Sequence, residues 1–311
     1  MTQTKRKSMK SRSGGKLTIY AVSVFSIILW GMSYIWSDQL IRLEIPVFYI
    51  VFIRSVVAGL VLLVFNLLLG NSLRIRRKDI PKFILLSFCE PFVYFVCETY
   101  GIKLTESPTY SALVIATAPI FSVLAGIFLF REKFNWVNLI GITICLAGLF
   151  LVTHGAATAG DHFAAGAVML LFAVFSEVGY ASVTKALAMH YKPMVIVQYQ
   201  FLIGGVVLLP LFCTLGIRDF DAEVYLSAAA WKPLLCLAVL CSGLAFTLWA
   251  STIKNLGVAR ASIFLAIIPV VTALIGAVRG TEILTPFQWT GIGIAFAGLT
   301  LTQYVLKKNR T

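Results

Sequence analysis

The feature that most constrains this chain is that part of it occurs twice. Residues 107–151, shifted by 150 positions, lie over residues 257–301 without a gap, and the special residues coincide: Pro119 on Pro269, Gly126 on Gly276, Glu132 on Glu282, Gly141 on Gly291 and Gly148 on Gly298. Apolar positions agree as well, among them Ala116 with Ala266, Leu124 with Leu274 and Ile142 with Ile292. Each copy reads as an apolar helix with a mid-helix proline, a short turn carrying Glu, and a second helix striped with glycine. Self-similarity at this period describes two homologous halves, not a solenoid.

Composition decides the solvent of those halves. With 59% hydrophobic and 13% charged residues and a mean hydropathy of +0.91, the chain cannot offer the surface of a soluble domain, about a quarter of which is charged. The net charge of +13 would suit nucleic acid, but the basic residues sit in short clusters between apolar runs of roughly 20 residues, the length that spans hydrocarbon. That is a membrane-topology signal. The partner expected is therefore a lipid bilayer, with no nucleic acid.

In chain order, residues 1–16 carry Lys5, Arg6, Lys7, Lys10, Arg12 and Lys16 beside the pair Gly14 and Gly15, which suggests a disordered basic cytoplasmic tail. The apolar run over 17–37 is long for a signal peptide and lacks a small-residue cleavage site, so it reads as a retained first helix. Further spans read as 46–69, 80–100, 108–130, 135–154, 165–189, 195–216, 230–253, 259–278 and 287–306, making ten. With the N-terminus inside, the inner segments hold 20 Lys and Arg and the outer loops five, namely Arg42, Lys103, Arg218, Lys232 and Arg279. Both termini are predicted to be cytoplasmic, in a multi-pass protein of the cytoplasmic membrane.

Five helices per half is an odd number, so the second copy enters the membrane from the opposite side. The turns agree: Arg131-Glu132-Lys133, predicted inside, corresponds to Thr281-Glu282-Ile283, predicted outside, where both basic residues are replaced. The expected fold is an all-α integral membrane protein of ten transmembrane helices in two inverted five-helix repeats. The first repeat covers 17–154, an outer loop 155–164, the second repeat 165–306 and a cytoplasmic C-terminus 307–311. Inverted repeats of this kind belong to transporters, with the substrate site near mid-membrane where the halves meet. Weaker echoes place Pro81 on Pro233, Cys89 on Cys241 and Pro91 on Gly243 at a shift of 152, and Tyr34 on Tyr180 at 146.

The chain resembles the drug/metabolite transporter superfamily, specifically its EamA-type proteins. The resemblance rests on Leu29-Trp30-Gly31 in the first helix, Arg54 in the second, the Ala118-Pro119 and Ile268-Pro269 helices, the Arg131-Glu132 and Thr281-Glu282 turns, and the Gly141/Gly148 and Gly291/Gly298 helices. It covers about 17–306. The resemblance implies a ten-helix secondary transporter of small metabolites, often an exporter.

Gly141 and Gly148 are two turns apart and share a face, as Gly291 and Gly298 do, so they read as close-packing positions between helices, with ligand contact the alternative. Pro119 and Pro269 each free a carbonyl four residues back and read as kinks, with gating the functional possibility. Glu132 and Glu282, in membrane-edge turns, read as local caps or pairs.

The chemistry falls on three polar stripes. Glu90, Tyr94 and Glu98 are spaced by four along the third helix; Glu177, Tyr180 and Thr184 mark the sixth; Ser26, Trp30, Ser33 and Ser37 mark the first. An ionised side chain at mid-membrane costs about 3 kcal/mol or more unless it meets a cavity, a partner or a proton. Glu90 and Glu177 are therefore candidates for substrate binding or coupling, against the plainer reading of a carboxyl hydrogen-bonded to a neighbouring helix or paired with Arg54. Pro91 beside Glu90 should loosen the helix there. Three carboxylates against one arginine favour a cationic or zwitterionic substrate, a proton, or both. Trp36, Trp136, Trp231 and Trp289 lie at span ends, as an interfacial belt would; Trp30 and Trp249 lie inside their spans, where a cavity wall competes with ordinary packing.

Enzyme signatures are sparse. His154, His162 and His190 lie at helix ends or loops and suggest no metal site. The six cysteines fall in apolar spans with no Cys-x-x-Cys pair, so they read as small buried residues. No cofactor is expected, and a homodimer is left open. Two functional classes stand: a secondary carrier of amino acids, amines or drug-like metabolites, with proton-coupled export, working by alternating access; and an intramembrane or lipid-modifying enzyme using Glu90 and Glu177 as acid and base.

Overall fold

A computed structural model describes residues 3–118, 120–121, 136–155, 162–218, 221–280 and 283–308. Pro119, Glu132 and Glu282, with most of the loop 155–164, lie outside the described residues. The described residues form helices and turns without a strand.

The first helix, α1 (Gln3–Arg42), begins well before its apolar stretch. The basic segment expected to be unstructured is helical from Gln3. It contains no proline, and Lys and Arg are good helix formers, so the helix of the first span extends outward through Gly14 and Gly15. Next, α2 (Val47–Leu68) starts after Pro46 and stops before Gly70, whose φ of +60° is the left-handed conformation that ends a helix at no steric cost.

The third span is not one regular helix. A 3-10 turn (Arg77–Asp79) leads into α3 (Ile80–Ser87), a wide π-type turn follows (Phe88–Val93), and α4 (Tyr94–Thr105) completes it. Pro91 has no N–H to give the ladder, and Glu90 before it is extended (φ −148°, ψ 120°), with a cis bond between them. Then α5 (Pro108–Ile115), capped by Ser107 Oγ accepting from the Tyr110 N–H at 3.2 Å, breaks into a turn at Ala116 and Thr117. The first half ends with α6 (Trp136–Gly155).

The second half runs α7 (Phe163–Ala188), α8 (Pro193–Leu211) continued by a π-type turn (Phe212–Gly216), the short α9 (Ala222–Tyr225), α10 (Ala228–Leu235), a long π-type segment (Cys236–Ala245), α11 (Phe246–Leu256), α12 (Val258–Ala261), a 3-10 segment (Ser262–Ile267), α13 (Ile268–Arg279) and α14 (Pro286–Lys308). Irregular backbone recurs at equivalent places: the 88–93 turn of one half answers to 236–245 of the other, as the match of Pro91 to Gly243 suggested. Pro269 does not kink a continuous helix. It occupies the first turn of α13 after the 3-10 segment, where a missing N–H costs nothing.

Among the described residues, six helical rods are long and apolar enough to cross a membrane: Thr18–Arg42, Val47–Leu68, Arg77–Thr105, Phe163–Ala188, Pro193–Gly216 and Ala228–Leu256. Their ends sort into two groups. At one end, the Tyr199 hydroxyl donates to the Leu73 carbonyl at 2.7 Å, Lys192 Nζ to Asn71 Oδ1 at 2.6 Å and the Tyr191 hydroxyl to Asp79 at 2.9 Å, while Lys185 Nζ caps the Ile253 carbonyl at 3.3 Å. At the other, the Tyr49 and Tyr225 rings lie 5.0 Å apart and those of Tyr110 and Phe163 4.8 Å apart. Three of the segments assigned to the inside by charge, around residues 71–79, 185–192 and 253–254, thus make contacts at span ends.

The glycine-striped helices α6 and α14 pack on each other through the expected residues. A side-chain carbon on Gly148 would overlap the Ala295 backbone and stand 2.6 Å from the Gly291 carbonyl oxygen; one on Gly298 would overlap the Cys145 backbone and stand 2.7 Å from the Gly141 carbonyl oxygen. Only glycine allows that approach of two backbones.

Candidate functional site

Where the halves meet, the spans surround a narrow cavity with about 20 Å³ of water-accessible space. Trp30, Ser33 and Tyr34 come from α1, Arg54 from α2, Glu90 from the broken turn, and Tyr94, Phe95 and Glu98 from α4. Ile115 of α5, Glu177 of α7, Phe246 of α11, Leu265 of the 3-10 segment and Ile268 of α13 close it. Its open part is small enough to admit about one or two water molecules, so the walls must part before a larger solute enters.

Arg54, 1% exposed, anchors the polar side. Its Nε donates to Ser242 Oγ at 3.1 Å, and its Cζ lies 3.7 Å from the centre of the Phe95 ring, an attractive cation–π placement. Its Nη1 has no partner. The ion pairs among the described residues are Arg42–Asp38 and Lys82–Asp79, both toward span ends, so Arg54 is not paired with Glu90, Glu98 or Glu177. Of the two plainer readings of Glu90, the ion pair with Arg54 is not formed.

The carboxylates differ in their support. Glu98 accepts from the Tyr94 hydroxyl at 3.1 Å, one turn away on α4. Glu90 is 1% exposed and its Oε2 lacks a partner. The even spacing of Glu90, Tyr94 and Glu98 suggested one helical face; all three reach the cavity, but Glu90 does so from extended backbone.

Aromatic rings pack behind the cavity around Phe246. Its centroid lies 4.9 Å from Trp30, 5.3 Å from Phe201, 5.7 Å from Phe95 and 5.8 Å from Tyr180. Trp249 stacks edge-on to Trp30 at 5.1 Å. The indole N–H of Trp249 is buried without a partner, one layer outside the cavity wall, where Tyr180 also lies.

A family profile described as the EamA-like transporter family matches residues 17–154 and again 164–304. The chain belongs to that family. Among curated relatives, an uncharacterized transporter of Bacillus subtilis strain 168, YetK, is 26% identical over 96% of this chain and 92% of its own. A probable terminal-alkyne amino-acid exporter of Streptantibioticus cattleyicolor is 28% identical over 73% of this chain and 74% of its own. A solved crystal structure superposes with a TM-score of 0.71 over 94% of this chain and 99% of its own at 16% identity, a likeness of fold.

In this EamA-like chain, Trp30, Arg54, Glu90, Tyr94, Glu98 and Glu177 meet at one cavity, whereas Tyr180 and Trp249 back it. Tyr34, Phe95, Ser242 and Phe246 were missed. Tyr34 had a signal, one turn from Trp30 and matched to Tyr180 in the other half; Ser242, a hydroxyl beside the Gly243 echo of Pro91, had a fainter one. Trp36, taken for an interfacial residue, is buried at 8% exposure because α1 runs through the centre of the bundle.

Proposed function

We propose that this EamA-like chain is a secondary carrier that exports small zwitterionic metabolites of the amino-acid type across the cytoplasmic membrane in exchange for protons. Its ten helices form two inverted halves with both termini in the cytoplasm, and the halves rock about the central cavity. Family membership supports small-molecule transport, and the reciprocal contact of α6 with α14 and the contacts among three of the segments assigned to the inside support the inverted arrangement.

One observation carries the substrate class. Three buried polar atoms without partners, Trp30 Nε1, Arg54 Nη1 and Glu90 Oε2, belong to residues lining a single narrow cavity. Each unsatisfied group of this kind costs about 1–3 kcal/mol, and more when charged. A molecule with a carboxylate at one end and an ammonium at the other satisfies the guanidinium and indole donors with the first and the Glu90 and Glu177 carboxyls with the second. Its side chain would lie on Phe95, Ile115, Phe246, Leu265 and Ile268. The name of the Streptantibioticus relative points to the same class.

Between substrates, a proton is the simplest partner for a mid-membrane carboxyl whose charge is expensive. Exchange then follows from competition: the substrate ammonium and the proton stabilise the same group, and a ligand moves the inward–outward equilibrium only by its differential affinity for the two states. The test is counterflow in proteoliposomes with L-propargylglycine, L-leucine, a polyamine and a dicarboxylate. Accumulation of one of the amino acids alone supports the reading; accumulation of only the dicarboxylate, or covalent conversion of a supplied compound, contradicts it.

A further inference from the structure

The broken turn that carries Glu90 is held by two helices from the other half of the chain. Ser176 Oγ of α7 donates to the Cys89 carbonyl at 2.6 Å. One turn along α7, Gly179 leaves room for Cys89 Sγ, which would stand 3.1 Å from an added side-chain carbon. From α8, Gly204 receives the Pro91 ring: a side-chain carbon there would overlap the ring carbons Cγ and Cδ. Residues 89 and 91 are thus held by two different helices of the second half, with Glu90 between them in sequence.

Like Thr272, which donates to the Gly31 carbonyl at 3.0 Å, Ser176 donates to the backbone of another span, but it makes no bond within its own helix. A helical serine or threonine ordinarily donates to the carbonyl four residues back, as Ser23, Ser26, Ser55, Ser87 and Thr105 do here. Ser176 instead reaches across to another span, and its neighbour in sequence is Glu177, which lines the cavity with Glu90. One turn of α7 therefore supplies both the carboxyl that shares the cavity with Glu90 and the hydroxyl that fixes the backbone from which Glu90 projects.

We propose that Ser176 is a positioning residue for Glu90: its hydroxyl, backed by Gly204 of α8, sets the separation of Glu90 from Glu177 and so the proton occupancy that the pair shares. This rests on the carrier reading. The turn belongs to the first half and both grips to the second, so rocking of the halves acts directly on Glu90. The titratable and charged groups that share the cavity with Glu90 are Tyr34 from α1, Arg54 from α2, Tyr94 and Glu98 from α4 and Glu177 from α7, with Tyr180 of α7 one layer behind. The thiols of Cys89, within the turn, and Cys241, beside Ser242, complete the set. The neighbours from α5, α8, α11 and α13 at this level, Ile115, Phe201, Phe246 and Ile268, do not titrate.

The experiment is an infrared pH titration of the full-length protein in lipid nanodiscs, with melting temperature and L-propargylglycine counterflow measured on the same samples. The carboxylic-acid band absent from Glu90→Gln reports Glu90. Ser176→Ala is expected to move the midpoint of that band by about one pH unit, Ser176→Thr to restore it, and Gly204→Ala, which displaces Pro91, to move it again. A wild-type midpoint in Ser176→Ala with only a lower melting temperature overturns the positioning role and leaves the carrier reading standing. If Glu90→Gln loses no band, Glu90 takes up no proton and the positioning role falls with the proton coupling, while counterflow by the wild type reports separately whether the chain is a carrier.

Discussion

Gly148 of α6 faces the carbonyl oxygen of Gly291 on α14 as closely as Gly298 of α14 faces that of Gly141 on α6: an added side-chain carbon would stand at 2.6 Å in the first case and 2.7 Å in the second. The four residues are pairwise related by the 150-residue shift, so one contact is the image of the other. Such reciprocity is the mark of a two-fold relation between equivalent surfaces.

Gly148→Ala and Gly298→Ala should therefore each destabilise the detergent-solubilised protein, by about 1–3 kcal/mol, the usual cost of forcing atoms into a packed contact. Gly293→Ala is the control, because nothing lies within 4 Å of a side-chain carbon there. Thermal melts check this; equal melting of Gly148→Ala and Gly293→Ala would mean that α6 and α14 do not meet at these glycines.

Sidedness is open to chemistry. On a cysteine-free background, a cysteine placed within residues 156–161 should label with an impermeant reagent from outside the cell, and one placed within residues 73–78 should not. Labelling of both from the same side contradicts the ten-helix inverted arrangement.

Arg54 is held by Ser242 and the Phe95 ring with one arm free, so its plane and its charge are both in use. Arg54→Lys keeps the charge but loses the planar fork and should raise the KM for substrate about tenfold, a loss of about 1.4 kcal/mol. Arg54→Gln leaves three carboxyls with no cation and should abolish transport, with partial return in the double variant Arg54→Gln/Glu98→Gln. Full activity of Arg54→Gln alone would remove the guanidinium from the site.

Much of the fold was legible because bilayer spans are set by length and apolarity, and because the halves still match residue for residue around Gly141 and Gly291. The broken third span was legible at Pro91, a residue without a ladder donor. What sequence could not supply was rotation. Tyr180 and Trp249 have the composition of cavity residues, yet lie one layer back, while Phe95 and Phe246 look like lipid-facing or packing residues and form the wall. Which side of a uniformly apolar helix turns inward is fixed by neighbours such as Gly204 and Ser176, whose partners are distant in the chain. Glu90 was found because a carboxyl in an apolar run stands out; the extended backbone that aims it was not.

The most direct test of the central claim is transport of L-propargylglycine by Glu90→Gln and wild-type protein in proteoliposomes across a pH series, with size-exclusion profiles to verify folding. If a proton and the substrate ammonium compete for Glu90, acidifying the side that receives the substrate should speed wild-type transport, because protons moving the other way return the carrier. Glu90→Gln should fold as the wild type does and lose that acceleration. Transport by Glu90→Gln at the wild-type rate with the same pH profile would contradict the account, making Glu90 a structural hydrogen-bonding residue and moving the coupling to Glu177.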